Sequence, residues 1–346
     1  WVETTLTDAV PAMANIALAA QVYSQKATTI AQAASVDDLT TLQSGSNVVF
    51  GPDGSITLSE GFSLNISAED ADGQAISGSG TVAITGVETQ QAADFSKISV
   101  SGVATATAAD DLTFTGVLSP ELTLVIQGAK VLTASATVLN GKSVSAEGQV
   151  IVTDLDQTLD ADLSQITVTG SIQAVFSSSG TFTGNLGTVE MLVADGQTLT
   201  AGFSNLDGKT INHDGTEDNQ SLVVEIDAAT AAADLSQINS NLLDITSNIV
   251  ETLTFSGNLQ GASTSIADGV TMTIPGNLAD GQLIGGTGNI IVTQLSQADS
   301  LLGITSTGTK TTNVDADLSF TGDFGTGFSI NVAADAELTL DASLAT

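Results

Sequence analysis

The sequence predicts an all-β fold, a repetitive β-solenoid preceded by an N-terminal α-helix, and three observations carry that expectation. One ten-residue stretch recurs as ADFSKISVSG (93–102), ADLSQITVTG (161–170) and ADLSQINSNL (233–242). A phenylalanine in a hydroxyl-rich strand recurs as LTFTG (112–116), GTFTG (180–184), LTFSG (253–257) and LSFTG (318–322). The two landmarks drift together. Asp94, Asp162, Asp234 and Asp299 are 68, 72 and 65 residues apart, and Phe114, Phe182, Phe255 and Phe320 are 68, 73 and 65 apart. Repeats of this length that each expose an apolar face bury it by stacking.

In chain order, residues 1–35 form the first expected element. Ala9, Met13, Ile16, Ala20, Tyr23, Ala27, Ile30 and Ala34 recur at alternating steps of four and three, one face of a helix. Thr7 or Asp8 caps it, and Pro11 falls in the first turn, where a missing N–H costs little. Its role is to cap the open end of the β array or to dock on a neighbouring subunit. The opening WVETTLTDAV lacks both a methionine and a leader pattern, which reads as a processed chain or a part of a longer precursor.

The β body is expected over 36–346, as one short unit (VDDLTTL to ITLSEGF) and four units of 65–73 residues. Strand patterns such as QITVTG fall about every 12–18 residues within a unit. Ile166 and Val168 point to one side and Thr167 and Thr169 to the other. The turns ADGQ (71–74), LNGK (139–142), LDGK (206–209) and ADGQ (279–282) supply residues that tolerate positive φ. The recurring ADLSQI reads as a corner: Asp bonds nearby backbone amides, and Leu and Ile anchor the turn below it. Tandem small β-sandwiches are the alternative architecture, although such modules usually need about 100 residues.

Composition supports strands and narrows function. Of the 346 residues 42% are hydrophobic but only 4% aromatic. Against 39 acidic residues stand 6 basic ones, all lysine, for a formal charge of −33. Without arginine the chain lacks the bidentate phosphate clamp, and its field repels polyphosphates, so nucleic acid is not an expected partner. No apolar run reaches the roughly 20 residues needed to span a bilayer. With no cysteine, disulfide staples, thiolate metal sites and a cysteine nucleophile are all excluded.

Calcium is the chemical candidate, because a hard cation wants six to eight oxygens and acidic turns supply several. The clusters are Glu69, Asp70 and Asp72; Asp154, Asp156, Asp160 and Asp162; Asp214, Glu217 and Asp218; and the pair Asp315 and Asp317. None has EF-hand spacing, and GGTGNIIVT (285–293) puts Ile290 where a calcium nonapeptide needs Asp. The bland alternative for each is a solvated acidic turn. His213, the single histidine, reads as a surface-loop residue, since a lone His makes neither a zinc site nor a triad. No catalytic residues are assigned. A polysaccharide-active β-helix enzyme remains a minor alternative, because paired carboxylates are present but Trp1 and Tyr23 both lie outside the repeats. Threonine rows such as TFT and TLT leave an ice-binding solenoid as another.

The acidic pI, absent cysteine and Ala/Gly/Ser/Thr-rich repeats such as ITVTG and LTFTG resemble the bacterial surface-layer and secreted β-strand-repeat proteins. The ending AELTLDASLAT is similar to the tails of some type I secretion substrates. The resemblance implies a non-enzymatic structural protein outside the cell that self-assembles into a layer or filament, often with Ca²⁺. It makes a second copy the expected partner and a cell-surface polysaccharide a further candidate. A phage tail fibre or adhesin shaft is the alternative function.

Overall fold

Alternation of apolar and hydroxyl side chains decides where the strands fall and which way they face. In Leu122–Ile126, Leu122, Leu124 and Ile126 are buried while Thr123 and Val125 point outward. The computed structural model describes residues 48–50, 55–215, 219–241 and 244–340. Its strands stack in parallel coils, a β-solenoid of about 14 turns. The pairing separates this fold from tandem sandwiches, whose sheets are antiparallel. Among the described residues one antiparallel pair occurs, Val48–Phe50 against Ile56–Leu58. The helix expected over 1–35 lies outside the described residues.

The chain divides into two compact units, Trp1–Ala174 and Val175–Thr346. In the first, Ile56–Leu58, Ile76–Gly78 and Ile98–Val100 form one parallel ladder. Ser63–Ser67, Thr81–Thr85, Ala104–Ala108, Leu122–Ile126, Ser143–Ala146 and Ile166–Val168 form a second. Leu112–Phe114, Val131–Ser135, Gln149–Thr153 and Ser171–Phe176 form a third. In the second unit a six-stranded sheet runs from Gly180–Phe182 to Ile284–Gly286, and a five-stranded one from Leu253–Thr254 to Phe328–Val332. Strands begin more often than the 12–18-residue spacing suggests. A coil has three faces, and each face takes only a few residues.

Each repeat supplies three coils and then one face more. In the first repeat Ile56, Ile76 and Ile98 are stacked on one another. Leu122–Ile126 opens the second repeat and is the counterpart of Ile56–Leu58, since each precedes a strand that runs into a four-residue helix, Ala68–Ala71 or Ala136–Leu139. Yet Leu122–Ile126 pairs with Ala104–Ala108, on the neighbouring face. The second unit repeats the step: Ser263–Ile266, which opens the fourth repeat, pairs with Asp244–Ile249.

The core is aliphatic and closely fitted. Phe114, Phe182 and Phe255 are 0% exposed and Phe320 1%, so all four occupy the interior positions the repeat assigned them. Phe114 sits in register with Ala134 and Phe182 with Ala201, a large side chain beside a small one in the next coil. The glycine closing the motif is needed for space. A Cβ on Gly116, Gly257 or Gly322 would lie 2.0, 1.9 or 2.0 Å from the carbonyl oxygen of Ala93, Ala233 or Asp299 in the preceding coil. Phe255→Ala is expected to cost about 3–5 kcal/mol by leaving a cavity. Gly257→Ala is expected to cost about 1–3 kcal/mol by forcing two coils apart. Denaturant unfolding of both variants measures these losses.

Candidate functional site: the corner ladder

Parallel ladders satisfy the amides along each face but leave donors at the corners, where the chain turns away from its neighbour. Short polar side chains meet that need. The Asp94 N–H donates to Oδ1 of Asp72 (2.8 Å), Asp162 N–H to Oδ1 of Asn140 (2.9 Å) and Ser300 N–H to Oδ1 of Asp280 (2.7 Å). In return Gly73, Gly141 and Gly281 donate their N–H to the carbonyl oxygens of Asp94, Asp162 and Ser300 at 2.8, 2.8 and 2.9 Å. These glycines have φ of 70°, 64° and 66°, which explains the Asp-Gly and Asn-Gly turns.

The recurring ADLSQI is the second step of this ladder. Asp94, Asp162 and Asp234 turn Oδ1 forward to accept the N–H of Ser96, Ser164 and Ser236 at 2.9, 3.0 and 3.1 Å. Beneath each turn the apolar pair is buried: Phe95 and Ile98, Leu163 and Ile166, Leu235 and Ile238. The hydrogen bond from the serine hydroxyl, with the adjacent amide, holds each of the three carboxyls below the ordinary aspartate range. A third step closes the group. Phe95, Leu235 and Leu301 donate to the carbonyl oxygens of Val117, Asn258 and Asp323 at 2.8, 2.9 and 2.7 Å.

The fourth copy departs from the sequence alignment. Asp299 was the expected counterpart of Asp234, but Ser300 holds the corner and bridges to Asp323. Asp299 turns inward, is 5% exposed and accepts the Ser296 N–H at 2.7 Å. A one-residue slip in the preceding loop moves the position and is invisible to spacing alone.

Several residues read as calcium ligands serve the fold. Asp72 and Asp162 belong to the ladder. Asp70, beside exposed Glu69, is buried and accepts the hydroxyl of Ser67 at 2.7 Å, while the Ser67 oxygen caps the Ala68–Ala71 helix by accepting the Asp70 N–H at 3.1 Å. Asp154 takes the Thr153 hydroxyl at 2.8 Å, and Asp156 the Gln157 amide at 2.7 Å. Asp160 and Asp214 are exposed, Asp317 accepts the Glu337 N–H at 2.8 Å, and Glu217 and Asp218 lie outside the described residues. Among the described residues no three His, Asp or Glu side chains are grouped so as to hold a metal ion. His213 ends the strand Thr210–His213, half-buried, rather than lying in a loop, because the register Val193↔His213 extends the ladder through it.

A second set of corner acceptors escaped the sequence reading. Glu88 takes the Ala109 N–H at 3.2 Å, Asp111 that of Val131 at 2.9 Å and Glu147 that of Gly128 at 2.9 Å, while Asp110 pairs with Lys130 at 2.6 Å. Asn140 and Asn258 were likewise missed as corner residues; their signal was the repeat phase, in which Asn stands for Asp. No family model, curated protein or solved structure matches the chain. No helix among the described residues is long and apolar enough to cross a membrane.

The ladder makes a pH prediction. With a folded pKa below the ordinary value near 3.9, Asp162 contributes stability that is present above that value and lost as pH falls through the folded pKa. Asp162→Asn keeps an acceptor but loses the charge-strengthened bond, so its deficit against wild type should be full at pH 7 and shrink as the pH falls below about 3.9. Asp162→Ala, which removes the acceptor, should lose about 1 kcal/mol. Melting temperatures across pH 3–7 test both.

Proposed function

We propose that this is an extracellular structural protein that self-assembles into a surface layer or filament, with divalent cations assisting. The observation that carries the reading is repetition. The same strands, phenylalanines and corner bonds recur repeat after repeat, and the Asp and Asn side chains that recur most faithfully are engaged in holding one coil to the next. A β-solenoid of this kind suits a structural or repeat protein. The cation enters through charge. Two copies that share −33 each repel, and six lysines are too few to neutralise 39 acids. Monovalent salt only screens over about 8–10 Å, whereas Ca²⁺ coordinates carboxylates from both partners. Exposed acids such as Asp160 and Asp214 are suited to that bridging.

Negative-stain microscopy and sedimentation of the purified chain at low ionic strength test the reading. Ordered assemblies are expected with Ca²⁺, and they should loosen on chelation. A monomer at every concentration and ionic condition would overturn self-assembly. Assemblies indifferent to chelator would remove the cation.

A further inference from the structure

Charge is not spread evenly over the surface of the first unit. In the first unit every described acidic residue lies in a turn, a corner or a short helix, and the strands contain none. The corners have a use for carboxylates, since Glu88, Asp111 and Glu147 cap amides there. The faces offer no spare donors, because their N–H groups are spent in the ladders.

The result is sharpest on the six-stranded sheet from Ser63–Ser67 to Ile166–Val168. Its outward positions hold only Asn, Ala, Ser, Thr and Val. They fall in ranks set by the register: Thr105, Thr123 and Ser143 stand in line across three strands, with Thr107 and Ser145 in the next rank. Such side chains are short, so nothing projects from the sheet. The six-stranded sheet of the second unit differs, carrying Glu225 and Asp244 on its strands.

We propose that the outward face of the Ser63–Val168 sheet is a self-association surface, packing against the same face of a second copy. The inference rests on the self-assembly reading above and names the place where it begins. The partner follows from electrostatics. A neutral, level face is where a second molecule of the same strongly acidic protein approaches without bringing carboxylate against carboxylate. An isologous contact also sets hydroxyl rank against hydroxyl rank, and hydroxyls both donate and accept. Size sets its strength. Six strands about 4.8 Å apart and a few residues long cover roughly 350 Å² per copy, against about 800 Å² per partner in a standard stable interface. One contact is therefore weak, and it gains strength only by combination with others in an array.

Sedimentation velocity of the full chain at low ionic strength tests this, with circular dichroism to check folding. Thr105→Asp with Thr123→Asp places carboxylates in the face and should raise the dissociation constant by about tenfold or more. Thr105→Cys should give a disulfide-linked dimer under mild oxidation, which reads cleanly because the chain has no cysteine of its own. Thr200→Cys, on the second unit's sheet, should give none. If wild type associates while the double Asp variant associates equally well and the Thr105→Cys variant stays unlinked, the face is wrong and self-assembly stands. If wild type never associates, self-assembly itself fails. Inhibition of ice growth by the monomer, lost in the double Asp variant, would give the face to ice and overturn the pairing.

Discussion

At every turn of a stacked coil, backbone N–H groups leave one ladder before they enter the next, and a buried or half-buried donor without a partner costs more than a typical bond returns. This chain meets the demand with an acceptor borrowed from the preceding coil. Asp72 serves Asp94, Asn140 serves Asp162 and Asp280 serves Ser300. The rest of the fold depends on these bonds. They fix the pitch at which Phe114 meets Ala134 and at which Gly116 closes against the Ala93 carbonyl, tolerances too tight for a coil to slip. They also explain an acidic composition that would otherwise look only destabilising. Part of the carboxylate excess is structural, held ionised by serine and amide donors at the corners.

Confinement of charge to the edges has a mechanical meaning for assembly. A unit whose faces are neutral and whose corners are acidic, as the first unit's are, has two kinds of surface, one that tolerates contact and one that needs counterions. Salt and divalent cations then act at the corners, while the faces are indifferent to them. Two lysines of that unit follow the same division: Lys97 reaches the Gly73 carbonyl oxygen and Lys130 the Asp110 carboxylate, both at corners.

Much of this was legible in the residues. The repeat phase placed all four phenylalanines in the core, and the Asp-Leu-Ser-Gln-Ile stretch announced a corner because Asp before Ser is a local backbone acceptor with apolar anchors following. The turns with Asn-Gly and Asp-Gly were visible through their need for positive φ. What could not be read was anything set by pitch. Strand density was underestimated because an apolar–polar alternation three residues long leaves almost no periodic signal. Glu88 and Glu147 serve amides about twenty residues away, a partner that only the length of a coil reveals. The slip from Asp299 to Ser300 came from matching letters, whereas the structure matches hydrogen bonds. Sequence proximity grouped Asp154, Asp156, Asp160 and Asp162, while the fold gives Asp162 to the ladder, Asp154 and Asp156 to the neighbouring Thr153 and Gln157, and leaves Asp160 exposed.

The extra face that each repeat travels beyond its three coils gives the solenoid a screw sense in its own genetic unit. Because Leu122–Ile126 settles beside the column on which its counterpart Ile56–Leu58 began, equivalent residues in consecutive repeats look out in different directions. Losing or duplicating one repeat would therefore hand the surfaces of the repeat that follows to a neighbouring face of the coil. Length variation in such a protein is also a change of direction, because a repeat added or lost changes which face its neighbour presents.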